Sequence, residues 1–180
     1  MKTRALFALL ALVSGAACSA DDAGDPAARR LPGGREPYAY QPAPPLENTP
    51  LDGTYVREIT IAQAGGPPVS CRRCAPYRTD AGRDELLLDR GRFFVSYEPI
   101  DESKRCPECS GIPGFRVDGH FRVTGDRVVF YNDANCTRTF GSYRWALSGE
   151  TLRLEPIRDD CAFGGLRARF FAAYPWELRG

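Results

Sequence analysis

From residue 51 onward, apolar side chains recur at every second position in short runs, which is the pattern of β-strands with one buried face. In the run 92–98, Phe93, Val95 and Tyr97 share a face. In 115–123, Phe115, Val117, Phe121 and Val123 share one, leaving Arg116, Asp118 and Arg122 on the other. Tyr143, Trp145 and Leu147 of 142–147 stand opposite Leu152 and Leu154 of 151–157. The runs 54–62, 85–89, 127–132 and 166–174 complete a set of eight, and none reads as a helix. A slip of one residue would turn each apolar set into solvent, so the registers are strongly specified. Burying a large apolar side chain is worth about 1.5–3 kcal/mol, which makes Trp145 and Phe121 good anchors.

The connections decide how eight strands can be arranged. Arg90-Gly91, Thr124-Gly125-Asp126 and Ser148-Gly149 are tight turns, and they form the second, fourth and sixth connections. The first, third, fifth and seventh are long. An antiparallel meander that closes on itself removes exposed strand edges, and in it alternate connections lie at one end. The expected fold of residues 51–180 is therefore all-β, an eight-stranded antiparallel up-and-down barrel with its long loops crowded on one rim. Its length suits one domain with a single core.

Six of the seven cysteines fall in or beside those long loops: Cys71 and Cys74 in the first, Cys106 and Cys109 in the third, Cys136 in the fifth, Cys161 in the seventh. Cys136 and Cys161 flank one hairpin, and a disulfide between them would close about 25 residues and contribute roughly 3 kcal/mol. Cys71-Arg72-Arg73-Cys74 and Cys106-Pro107-Glu108-Cys109 form a CxxC…CxxC set. Its spacing lets four thiolates wrap a tetrahedral structural zinc ion. In an oxidising compartment the same four residues make two disulfides instead, and a bridge between the first and third loops would close about 35 residues, worth nearly 4 kcal/mol. No helix N-terminus is evident to activate a redox thiol. Neither CxxC is followed by histidine, which excludes c-type haem attachment.

The compartment is read from the N-terminus. Lys2 and Arg4 precede an apolar run from Ala5 to Val13 and a small-residue segment, Ser14-Gly15-Ala16-Ala17. An apolar run of about nine residues fits a signal-peptide core and falls short of the ~20 that span a bilayer. Ala16-Ala17-Cys18 resembles the lipobox of bacterial lipoproteins. That resemblance implies removal of a signal peptide, 1–17, and lipidation of Cys18 with fatty acyl chains such as palmitate, and it implies export to the cell envelope. The membrane partner would be met through the N-terminal lipid, at the outer membrane or a periplasmic face. With Cys18 lipidated, six cysteines remain, an even set. Residues 18–50 are rich in Ala, Pro, Gly and Asp with almost no aliphatic periodicity, so they read as a disordered linker stiffened by Pro42, Pro44 and Pro45.

A second resemblance lies at the start of the domain. Gly53-Thr54-Tyr55 is similar to the Gly-x-Trp opening of lipocalins, and the phrases from Gly141 to Trp145 and from Gly149 to Leu154 are similar to short bacterial lipocalin-like domains. In those proteins an arginine near the end of the last strand packs over the aromatic ring, and Arg169 stands where it could match. The resemblance implies a cup for a small hydrophobic ligand, with Tyr97, Phe121 and Trp145 on its walls.

Other functions find little support. Removing Lys2 and Arg4 from the 24 basic residues leaves 22 against 23 acidic, and no basic stripe suits a nucleic acid. His120, the sole histidine, falls outward by alternation and reads as a surface residue. Asp159-Asp160 and Asp101-Glu102 read as solvated loop charge. With no catalytic constellation, an enzyme is not expected, nor is a cofactor other than zinc. The expected role is structural or interactive, with an envelope protein as partner. Hydrophobic-ligand binding and a zinc-binding CxxC domain are the alternatives.

Overall fold

A computed structural model describes residues 36–65, 81–99 and 116–180. They form β1 (Gly53–Ile59), β2 (Gly82–Asp89), β3 (Arg92–Pro99), β4 (Arg116–Thr124), β5 (Arg127–Tyr131), β6 (Gly141–Ser148), β7 (Thr151–Asp159), α1 (Ala162–Ala172) and β8 (Trp176–Leu178). Each strand pairs antiparallel with its sequence neighbour, and β8 returns to β1, giving the closed up-and-down barrel expected. The β2–β3 hairpin turns through Arg90 and Gly91, both at positive φ (45° and 83°). Two such residues in succession match the right-handed twist of the flanking strands.

The interior follows from the period-two pattern. Tyr55, Leu86 and Val95 lie side by side across β1, β2 and β3, and all three are buried. Phe93, Phe121, Val128, Phe130, Tyr143, Leu152 and Leu154 continue the same core. Gly119 pairs with Phe93, and a β-carbon there would stand 2.6 Å from the Phe93 ring. A bare backbone at this position lets the ring lie across β4. At the tight-turn end the wall opens slightly: Trp145 is half-buried and Leu147, expected inside, is 38% exposed.

The last strand is placed differently from expectation. Residues 166–174 do not form it; α1 covers most of that stretch, and β8 is only the three residues that follow. The alternation of Leu166, Ala168 and Phe170 imitates a strand, but adjacent Phe170 and Phe171 are both buried, with ring centroids 5.7 Å apart. A strand would send them to opposite faces. On the helix, Arg167, Phe170 and Phe171 occupy i, i+3 and i+4 and share the inward face. The arginine disguised that apolar stripe. Phe171 stacks on Phe130 at 4.4 Å, and its ring edge meets Phe93 and Tyr143.

The end of the expected linker is also ordered. Residues 36–50 run along the outside of the barrel, where Arg92 donates to the carbonyls of Pro44 (2.9 Å) and Pro45 (3.3 Å). Leu51 then enters the core, and the Tyr55 hydroxyl donates to its carbonyl at 3.1 Å. Composition alone hid this, because the strap is held by backbone hydrogen bonds rather than by apolar periodicity.

Truncating Phe171 to Ala should cost about 3–5 kcal/mol in urea unfolding. Phe140→Ala, at a site 45% exposed, should change stability by no more than about 0.5 kcal/mol.

Candidate functional site

Three polar clusters sit where an all-apolar barrel would have none, and the first and third join elements far apart in sequence.

The first closes the barrel from within. Arg57 and Asp84 occupy paired inward positions of β1 and β2, and Arg57 Nε donates to Asp84 Oδ2 at 2.7 Å, with both side chains almost fully buried. The guanidinium lies 3.8 Å from the Trp176 ring centroid and 4.7 Å from that of Phe170. Trp176 in turn donates its indole N–H to the Phe171 carbonyl at 3.0 Å. Four elements thus meet on one cation. Arg169 does not pack over Tyr55 as the lipocalin resemblance implied: it lies on the exposed side of α1. The arginine–aromatic stack observed here instead joins Arg57 of the first strand to Trp176 of the last.

The second cluster ties the rim. Asp159 receives Arg167 Nε and Nη2, each at 3.0 Å, and the Tyr143 hydroxyl donates to the same carboxylate. Asp133 stands 3.7 Å from Arg167 Nη1. The expectation of solvated charge at Asp159 is corrected, since its side chain is 1% exposed. The cause is a β-bulge: Ser142 pairs with Arg158 but Tyr143 with Pro156, leaving Ile157 extra. An extra residue inverts the alternation beyond it, turning Asp159 inward. Cys136 and Cys161 stand at disulfide distance beside this cluster, their Cα atoms 5.4 Å apart. Their amides donate to the Asp133 carbonyl and to Asp159 Oδ1, both at 2.9 Å. Burial and the neighbouring Asp159 push the Tyr143 phenol far above its ordinary range, and burial raises the Asp133 carboxyl as well.

The third cluster lies on the outer wall. His120 does face outward, but it is not a surface residue: it is fully buried beneath the strap. Its Nε2 meets Glu36 Oε1 at 3.2 Å and its Nδ1 meets Asn132 Nδ2 at 3.1 Å. Asn132 also clamps the Gln41 backbone, accepting its N–H at 2.8 Å and donating to its carbonyl at 2.9 Å. Burial pushes the imidazole below its usual value, against the opposing pull of Glu36. Burial raises the Glu36 carboxyl, but hydrogen bonds from Arg92 and His120 outweigh it and hold the group below the usual range.

Of the residues expected to line a ligand cup, Trp145 packs against the core that holds Phe121, and Tyr97 is not part of that core. Tyr97 is buried near the rim, its hydroxyl donating to the Ala81 carbonyl at 2.8 Å. Phe121 is in the main core. Trp145 donates to Gly125 at the opposite end, at 3.0 Å. Cys18, Cys71, Cys74, Cys106 and Cys109 lie outside the described residues, as do Asp101 and Glu102. Alternation could have flagged Arg57, which shares the face of Tyr55 and Ile59; no local signal marks the bulge that buries Asp159. No protein-family model, curated protein or solved structure matches this chain.

Because the Tyr143 phenol is raised in the folded state, its contribution to stability is complete below the unfolded value of 10.0 and declines as pH rises past it. Tyr143→Phe should lose about 1 kcal/mol at neutral pH. It should also show a shallower alkaline decline than the parent, by up to about 1.4 kcal/mol per pH unit, in unfolding followed from about pH 9 to 11.

Proposed function

We propose that the chain is an envelope lipoprotein, anchored through Cys18, whose lipocalin-like barrel has a structural or interaction role and no catalytic one. The observation that carries the barrel's part in this reading is the way its interior is filled. Phe171 enters the space between the strands and packs against Phe93, Phe130 and Tyr143, with Phe170 packed beside it and against Trp176. An eight-stranded barrel is just wide enough for side chains to fill it, and the aromatic residues of α1 occupy the place a hydrophobic ligand would need. That filling weighs against a cup. Arginine stacked on tryptophan across the first and last strands supports the lipocalin-like comparison, with the two residues exchanged.

The anchoring half rests on the signal-like first 17 residues and the lipobox-like Ala16-Ala17-Cys18. A strap fastened to the outer wall suits a barrel held by its N-terminus, because tension is taken by hydrogen bonds to Arg92 of β3 and to Asn132 just after β5. The paired CxxC cysteines serve this role as cross-links of the long loops, with structural zinc as the competing assignment.

Mass spectrometry of the protein recovered from its native envelope tests these points together. A diacylglyceryl group on Cys18, the mass deficit of three disulfides and no retained zinc are the expected results, and Cys18→Ala should move the protein to the soluble fraction. Soluble parent protein beginning at Asp21 would refute the anchor. Saturable binding of a fluorescent fatty acid by the parent would refute the filled barrel.

A further inference from the structure

We propose that residues 36–45 form an acid-released latch, in which a proton arriving at His120 Nδ1 breaks the contact with Asn132 and frees the strap from the barrel wall. The ring's hydrogen-bonding state is dictated by its neighbours. Asn132 cannot reverse its amide without losing both bonds to Gln41, since its oxygen accepts from the Gln41 N–H and its nitrogen donates to the Gln41 carbonyl. The amide nitrogen therefore faces His120 Nδ1 as a donor, and Nδ1 must offer a lone pair. The single ring proton is then on Nε2, donated to Glu36. This is one neutral tautomer, held from both sides.

A second proton has no place there. It would set N–H against N–H inside a fully buried contact, where an unsatisfied donor is costly. Relief comes if Asn132 retreats, and Asn132 is the residue that holds Gln41. The charged groups around the ring give a mixed field. Glu36 of the strap and Asp118 of β4 favour the cation, whereas Arg92 of β3 opposes it. Tyr131 of β5 lies 5.9 Å from the imidazole and is raised by burial, with Arg122 and Arg92 acting against that rise. Burial of the ring is the largest influence. It exists only while the strap is docked.

The direction of the pH effect follows from linkage. Released, His120 takes its ordinary value near 6.5; docked, it lies below that. The released state binds more protons, so docking is at full strength above about pH 6.5 and weakens as pH falls toward the docked value, by at most tenfold per pH unit for one proton. Glu36 acts in the same sense at lower pH, because its docked value lies below 4.5. Freed, residues 36–45 could extend about 33 Å at ~3.3 Å per residue. The consequence, a longer reach from the membrane, rests on the anchored reading; the latch itself does not.

The test is NMR of the isotope-labelled full chain, without lipid, between about pH 7.5 and 5. As the sole histidine, His120 gives one ring Cε1–H signal. The amides of Tyr38, Tyr40 and Gln41 are expected to move from dispersed to coil-like shifts with the same midpoint as that signal, below about 6.5, while Phe93 and Phe121 stay unchanged. His120→Phe should remove the transition from this window. Should that variant fail to fold, Glu36→Gln, altered at an exposed side chain, should keep the transition. Strap amides unmoved to pH ~5, an unchanged midpoint in His120→Phe, or loss of the transition in Glu36→Gln would each overturn the latch. Loss of the lipid on Cys18 in the separate envelope experiment would leave these readouts untouched.

Discussion

The barrel is closed by a strand of three residues, and that closure depends on Arg57. β8 offers two paired positions to β1 and two to β7, too few backbone contacts to hold an edge against solvent unaided. Trp176 makes up the difference, because its indole is fully buried and sandwiched between the apolar core and a guanidinium. An arginine suits that position where a lysine would not. Its planar, weakly hydrated head can stack on a ring while its edge meets a carboxylate. Asp84 balances the charge, and so a desolvated cation becomes a fastening between β1, β2, α1 and β8.

The rim solves the same problem by a different route. A helix that enters a barrel mouth brings Arg167 with it, and an unpaired buried cation would cost several kcal/mol. The bulge in β7 delivers Asp159 to meet it, Tyr143 and Asp133 complete the polar shell, and Cys136 and Cys161 bring the fifth and seventh connections together beside it. The buried ion pairs of Arg57 and Arg167 let α1 sit inside the barrel mouth, and the aromatic filling follows from its position. Outside, the strap takes a third polar cluster from Arg92 of β3, His120 of β4 and Asn132 just after β5. Much of this small domain's specificity thus lies in buried polar contacts rather than in apolar area alone.

Legibility in the sequence followed physical locality. Strand alternation and tight turns are local signals, and they carried seven strands, the closed meander and the nearness of Cys136 to Cys161. Helix α1 was hidden because Arg167 occupies its buried stripe, so the apolar period broke and Leu166, Ala168 and Phe170 read as a strand. His120 was placed on the correct face, but its burial depends on a segment about 80 residues earlier in the chain, which no window could reveal. Asp159 escaped because one extra residue in β7 reverses every inference beyond it. Arg57 and Asp84 were readable in principle: each sits at an inward position, and opposite charges on neighbouring strands are a signal of pairing.

The structural or interaction role proposed above draws on a barrel fastened and filled in this way. The whole depends on the cation that joins the first strand to the last. A double-mutant cycle on Arg57→Met and Trp176→Leu, measured by equilibrium urea unfolding, isolates that contact, since the unpairing of Asp84 is common to both arms that lack Arg57. A coupling energy of about 1–2 kcal/mol is expected for a desolvated cation–aromatic pair. Additivity within about 0.3 kcal/mol would contradict a closure that depends on this pair.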